Sequence, residues 1–128
     1  MRRNFSKYNA KKTEVDGIIF DSKKEAERYR YLRQLEMDGV VRDLQRQVKY
    51  VLIPAQREPD RIGKRSGIIR GRTIEKECSY IADFVYTDEF GISHVEDVKG
   101  MRDGAVYSLF KVKKKMMLFF YGIRVEEV

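Results

Sequence analysis

One α/β domain, a mixed central sheet with helices packed on it, is the architecture this sequence predicts. Three observations carry the prediction. The chain has 128 residues, enough for one compact domain with one modest core. Two stretches read as helices and four as sheet strands, in the order helix, strand, strand, strand, helix, strand, behind a small N-terminal hairpin. The composition, 42% hydrophobic with 12% aromatic residues, is that of a folded chain rather than a disordered one.

Residues 1–12, MRRNFSKYNAKK, carry five cations and no acid and read as a basic, flexible arm ahead of a domain at 13–128. In TEVDGIIFD, Asp16-Gly17 lies between short β-prone runs, the signal of a tight hairpin. In DSKKEAERYRYLRQLEMDGV, Ser22 is placed to cap a helix and Gly39 to end it. Ala26, Tyr29, Leu32 and Leu35 recur there at helical spacing. VKYVLIPA reads as a strand closed by Pro54. Residues 55–76, rich in Gly and Arg, read as a long basic loop or flexible arm, and loops of that length are often functional. CSYIADFVYTDEFGISHVEDVKG reads as two strands around a turn at 88–91. GAVYSLFKVKKKMMLFF is the second helix and YGIRVEEV the last strand.

Composition narrows the function. A single cysteine, Cys78, forbids an internal disulfide and points to an intracellular, cytoplasmic protein. One Cys and one His make a poor zinc ligand pool. No apolar run is long enough to span a bilayer, and the N-terminus lacks the apolar core of a signal peptide. Net charge is +7, and the excess is clustered in the N-terminal arm, in residues 61–76 and in Lys111, Lys113, Lys114 and Lys115. Such patches attract polyanions, nucleic acid being the commonest inside cells, although each alone also reads as a solubilising surface.

The stretch HVEDVKGM, 94–101, breaks the apolar pattern of a strand with two acids and a lysine. With the turn centred near Phe90, Asp83 falls opposite Asp97, at roughly 4.5–5.5 Å between Cβ atoms. Alternation puts Asp83, Asp97 and Lys99 on one face with Ile81, Val85 and Val95. Facing like charges destabilise a sheet, and buried ions are costly unless paired or bound to metal. A divalent cation between the acids resolves the repulsion, and oxygen-only ligation suits magnesium, with manganese as substitute. Glu25 falls within the apolar stripe of the first helix and points inward; equally, Ser22-Lys23-Lys24-Glu25 fits a capping box that turns Glu25 back on its own helix end. Asp97 and Lys99 are equally a surface ion pair of little worth, and a one-residue slip would reverse the face of Asp83. Glu96 faces away from Asp97 and is secondary. His94 lies on the opposite face and reads as a plain strand residue; Cys78 reads as a packed thiol. Gln45 and Gln47 precede the first strand and either touch a phosphate or are merely polar.

FDSKKEAERYRYL, LQRQVKYVLIP, YIADFVY and VEDVKG, in that order across residues 13–127, resemble a phage-associated family of small endonucleases with a PD-(D/E)XK core. The family pattern puts Pro before the first Asp, where this chain has Ala82. The resemblance implies a restriction-endonuclease-like domain. It implies Glu25, Asp83, Asp97 and Lys99 as the catalytic set, with Asp83, Asp97, Glu25 and the Val98 carbonyl as metal ligands. It implies a DNA substrate, specifically branched DNA or Holliday junctions in phage recombination or replication, and the host cytoplasm as the place of action. In that frame Lys64, Arg65, Arg70, Arg72, Lys111, Lys113 and Lys114 hold the DNA backbone, and a two-fold-symmetric junction suits a homodimer.

Three functions compete: a metal-dependent endodeoxyribonuclease, a non-enzymatic nucleic-acid-binding protein with a degenerate site, and a basic structural or assembly protein of a phage. Basic patches serve all three. Only the first needs the acids and Lys99 together.

Overall fold

The computed structural model describes residues 12–128. The basic arm expected at 1–12 lies outside the described residues except for Lys12. The described residues open with β1 (Thr13–Val15) and β2 (Ile18–Phe20), joined in the register Val15↔Ile18. Asp16 and Gly17 both have positive φ, 53° and 76°, as a two-residue turn matched to strand twist requires. The helix α1 (Lys23–Met37) starts where Ser22 Oγ accepts the Glu25 amide at 3.1 Å. It ends where Gly39 enters the left-handed region at φ 76° and donates back to the Glu36 carbonyl.

Next comes β3 (Arg42–Ile53), which begins six residues before the stretch expected to form it. Gln45 and Gln47 therefore lie inside the strand and do not precede it. The polar run RDLQRQ has little strand propensity, yet β8 (Cys78–Thr87) offers a full ladder of partners from Arg42↔Thr87 to Ile53↔Cys78. Tertiary pairing overrides local preference here. The segment expected as a basic loop or flexible arm is an arm, and it carries two short antiparallel strand pairs. At its base β4 (Gln56–Arg57) pairs with β7 (Thr73–Glu75), and at its tip β5 (Arg61–Ile62) pairs with β6 (Ile68–Ile69). The base is pinned at Gly71, whose amide donates to Asp60 Oδ1 at 2.7 Å and whose carbonyl accepts Arg57 Nε at 3.0 Å. The Glu58 carbonyl lies 1.6 Å from where a Cβ on Gly71 would stand, so only glycine admits this crossing.

β8 turns back through Asp88, whose carboxylate accepts the Phe90 and Ile92 amides, into β9 (Ser93–Asp97). The helix α2 (Gly104–Tyr121) follows and is closed by Gly122 at φ 68°. The last strand is shorter than expected: β10 is Glu126–Glu127 alone, parallel to β9. The central sheet is mixed, in the order β10-β9-β8-β3.

The helices lie on opposite faces of this sheet. Glu96 bonds Arg28 of α1, while its neighbour Val95 packs with Phe110 and Met117 of α2, and successive strand residues point to opposite faces. Two cores result. Phe20, Ala26, Tyr29, Leu32, Val41, Phe84 and Tyr86 form the α1 core. Leu52, Tyr80, Ala82, Val95, Phe110, Met117 and Val125 form the α2 core.

β8 contributes alternate residues to both cores, and this is irregular. Phe84 and Tyr86 face α1, whereas Tyr80 and Ala82, of the same parity, face α2. In the partner strand, Arg46 lies over Phe20 and Tyr29 of the α1 core, yet Leu52 belongs to the α2 core. The ladder register runs unbroken through Arg46↔Phe84 and Val48↔Ala82. Between those pairs stands Gln47, in the left-handed region at φ 51°. Side chains on either side of this position address different faces. Ile81, expected to share an apolar face with Asp83, Val85 and Val95, is 50% exposed instead.

A carboxylate cluster at the strand turnover

Asp83 sits at the turnover, next to the last ladder pair Phe84↔Glu96, so that it comes opposite Asp97 as β9 ends. Its Oδ2 accepts the Val98 amide at 2.8 Å, and its Oδ1 accepts Gln47 Nε2 at 3.3 Å. The same Gln47 nitrogen reaches Glu25 Oε1 at 3.2 Å. The backbone half of the capping box forms at Ser22, but the Glu25 side chain turns towards β3 and not back to its own helix end. On the other side Asp97, buried at 7% exposure, pairs with Lys99 Nζ at 2.8 Å and accepts the Tyr80 hydroxyl at 2.7 Å. Lys99 Nζ also lies 3.4 Å from the centre of the Phe110 ring, which orders the ammonium on the α2 face. Lys24 donates to the Lys99 carbonyl.

The electrostatics reflect crowding. Burial, then the charge of Asp83, pushes Glu25 up to about 7. Burial raises Asp83 as well, with Asp97 adding to the rise and the Val98 amide opposing it. Tyr80 is raised by burial and by Asp97. Burial is the leading cause in each case, and the neighbouring carboxylates add to it. The available donors are oxygens, which suits a hard divalent ion. In this arrangement, however, both Asp97 oxygens are engaged by Lys99 and Tyr80, and Gln47 stands between Glu25 and Asp83. Among the described residues no group of three or more His, Cys, Asp and Glu side chains is gathered as a metal site.

The other sequence-nominated residues separate. Gln47 joins the cluster. Gln45, opposite Val85, is exposed and stands outside the network described. Glu96 is 1% exposed and is held by both ends of the Arg28 guanidinium and by Tyr86, so it ties α1 to the sheet. His94 bridges Asp88 and Glu126, away from the cluster. Lys64, Arg65, Arg70 and Arg72 are exposed on the arm. The lysines of α2 form no single patch. Lys113 lies beside Tyr80 and Ile81, whereas Lys111 and Lys114 border Arg124 on another face. Lys114 pairs with Glu127 at 2.8 Å. Tyr80 was not foreseen at all. Strict alternation places it opposite Asp83, and only the turnover at Gln47 brings its hydroxyl to Asp97.

The fold and cluster together define a mixed α/β protein with a carboxylate–lysine cluster where one strand pair changes faces. The chain belongs to the family described as Protein of unknown function (DUF1064), whose model matches residues 5–125. No curated protein and no solved structure matches it. No helix among the described residues is long and apolar enough to cross a membrane.

Proposed function

We propose that the chain is a magnesium-dependent endodeoxyribonuclease with a restriction-endonuclease-like core, manganese serving as substitute. It cuts structured DNA, branched DNA or Holliday junctions, in phage recombination or replication, and acts as a homodimer in the host cytoplasm. The observation that carries this reading is the convergence of Glu25 from α1, Gln47 from β3, Asp83 from β8, and Asp97 and Lys99 from the end of β9. Asp83, Asp97 and Glu25 are the residues to hold the cation, with the Val98 carbonyl beside them. When bound, the ion lowers the pKa of a water and steadies charge on the scissile phosphate. Lys99 then orients the water or neutralises the phosphate as charge builds. Gln47 keeps Glu25 and Asp83 apart and aimed. Arg70 and Arg72 on the arm contact the backbone, which positions DNA without reading its sequence.

A second reading, a nucleic-acid-binding protein with a degenerate site, is favoured by one observation: Asp97 is fully engaged by Lys99 and Tyr80. One assay separates the two. Purified protein is incubated with labelled four-way junctions and linear duplex in magnesium, manganese or EDTA. The nuclease cuts only with metal. Asp83→Ala and Asp97→Ala abolish cutting and keep binding, and Lys99→Ala slows it about 100-fold or more with metal affinity retained. Salt-sensitive binding with no cutting under any metal condition establishes the second reading.

A further inference from the structure

The β-arm ends in a feature that backbone contact alone does not use. Ile62 and Ile68 are register partners across β5 and β6, and they are 81% and 79% exposed. Partners across an antiparallel pair project side by side, roughly 5 Å apart, so the two form one apolar knob. Ile69 behaves differently: its Cδ1 lies over Gly63, 3.0 Å from where a Cβ would stand. The tip is closed rather than frayed. Gly63 donates to the Gly67 carbonyl at 2.7 Å, Ser66 donates to Gly63, and Ser66 takes the left-handed conformation at φ 61°. Arg61, Lys64, Arg65 and Arg70 are exposed on the same segment, and 61–70 contains no acid. Turn tips are ordinarily polar, and exposed isoleucines gain nothing from water.

We propose that Ile62 and Ile68 are a wedge that enters a base step of bound DNA and kinks it, while the four flanking cations hold the phosphates on either side. This rests on the DNA-binding reading above and adds how the DNA is shaped. Charge selects the occupant: an apolar knob on a tip whose charged side chains are all cations suits a polyanion with an apolar interior, and stacked bases between two phosphate rails are that combination. A ribbon of two strands is narrow enough to enter a groove. Kinking also bears on the choice of substrate, because DNA that bends readily costs less to deform than stiff continuous duplex.

The test uses the full chain, a short duplex and a four-way junction. Dye pairs at the ends report bending, and 2-aminopurine placed at successive steps reports unstacking. The wild-type protein bends the duplex and raises 2-aminopurine fluorescence at one step. Ile62→Ser/Ile68→Ser loses both signals and binds about ten-fold more weakly, with the slope of log affinity against log salt unchanged. Ile62→Met/Ile68→Met, apolar and of similar size, restores both signals. Lys64→Ser/Arg65→Ser lowers the salt slope by about 2. Salt-dependent binding with neither bending nor unstacking overturns the wedge alone. Absence of salt-dependent binding overturns the DNA reading and the wedge with it. If the serine pair leaves DNA distortion intact and instead abolishes self-association in sedimentation, the knob is a protein contact and the wedge is wrong.

Discussion

At the scale of residues, Gln47 does what no acid in the cluster can do for itself. Its amide nitrogen serves Glu25 and Asp83 at once, and its backbone is left-handed where the strand pair changes faces. Glu25 shows the cost of the crowding. Its folded-state pKa, about 7, lies above the ordinary value of 4.5. The native state thus holds a proton that the unfolded chain releases first. Stability from this group is fully present below about 4.5, falls as pH rises through the interval, and is lost above about 7. Glu25→Gln keeps the hydrogen-bonding amide geometry and removes the titration. It is expected to raise the melting temperature at pH 8 in metal-free buffer and leave it unchanged near pH 4, a difference read by thermal scans at the two values. An equal effect at both would assign Glu25 a purely steric role.

Among elements, the β-arm departs furthest from what local sequence suggests. Glycine and arginine content describes a loop or flexible arm, but Gly71 is buried under the Glu58 carbonyl and clamped by Asp60 and Arg57. The arm is therefore anchored at its base, close in sequence to β8, which begins at Cys78, five residues before Asp83. Gly71→Ala forces the two backbones apart. It is expected to destabilise the arm by about 1–3 kcal/mol, seen as lost amide protection across 56–75 while the central sheet keeps its own. Uniform loss of protection would mean that the arm and sheet unfold as one unit.

Across the described residues the central sheet carries a separate core on each face. On one face α1 is tied to the sheet by Arg28 and Glu96, at 2.6 and 2.8 Å, with the Tyr86 hydroxyl on the same carboxylate. Removing the cation strands a carboxylate that is 1% exposed. Arg28→Met is expected to cost about 3–5 kcal/mol in urea denaturation, and adding Glu96→Leu should recover most of it. A small loss in the single variant would show that the Arg28 pair is not what holds α1 on the sheet. Because Glu96 and Asp97 point to opposite faces, this pair also sets which way Asp97 looks. The global fold and the cluster thus depend on the same two-residue alternation.

Much of this was legible from the chain. The Asp16-Gly17 hairpin, the Ser22 cap, the α1 stripe and the turn that brings Asp83 opposite Asp97 depend on local rules: turn chemistry, capping and the periods of 3.6 and 2. Those rules act over a few residues, so a sequence states them directly. The strand formed by RDLQRQ, the strand pairs of the arm, the pairing of Lys114 with Glu127 and the arrival of Tyr80 at Asp97 were decided by tertiary structure. Each depends on a partner distant in the chain: a ladder that β8 supplies, a carbonyl pressed on Gly71, an acid on β10, and the change of faces along the pair of β3 and β8. Long-range pairing overrules local preference because a buried backbone must find its hydrogen bonds wherever the fold provides them.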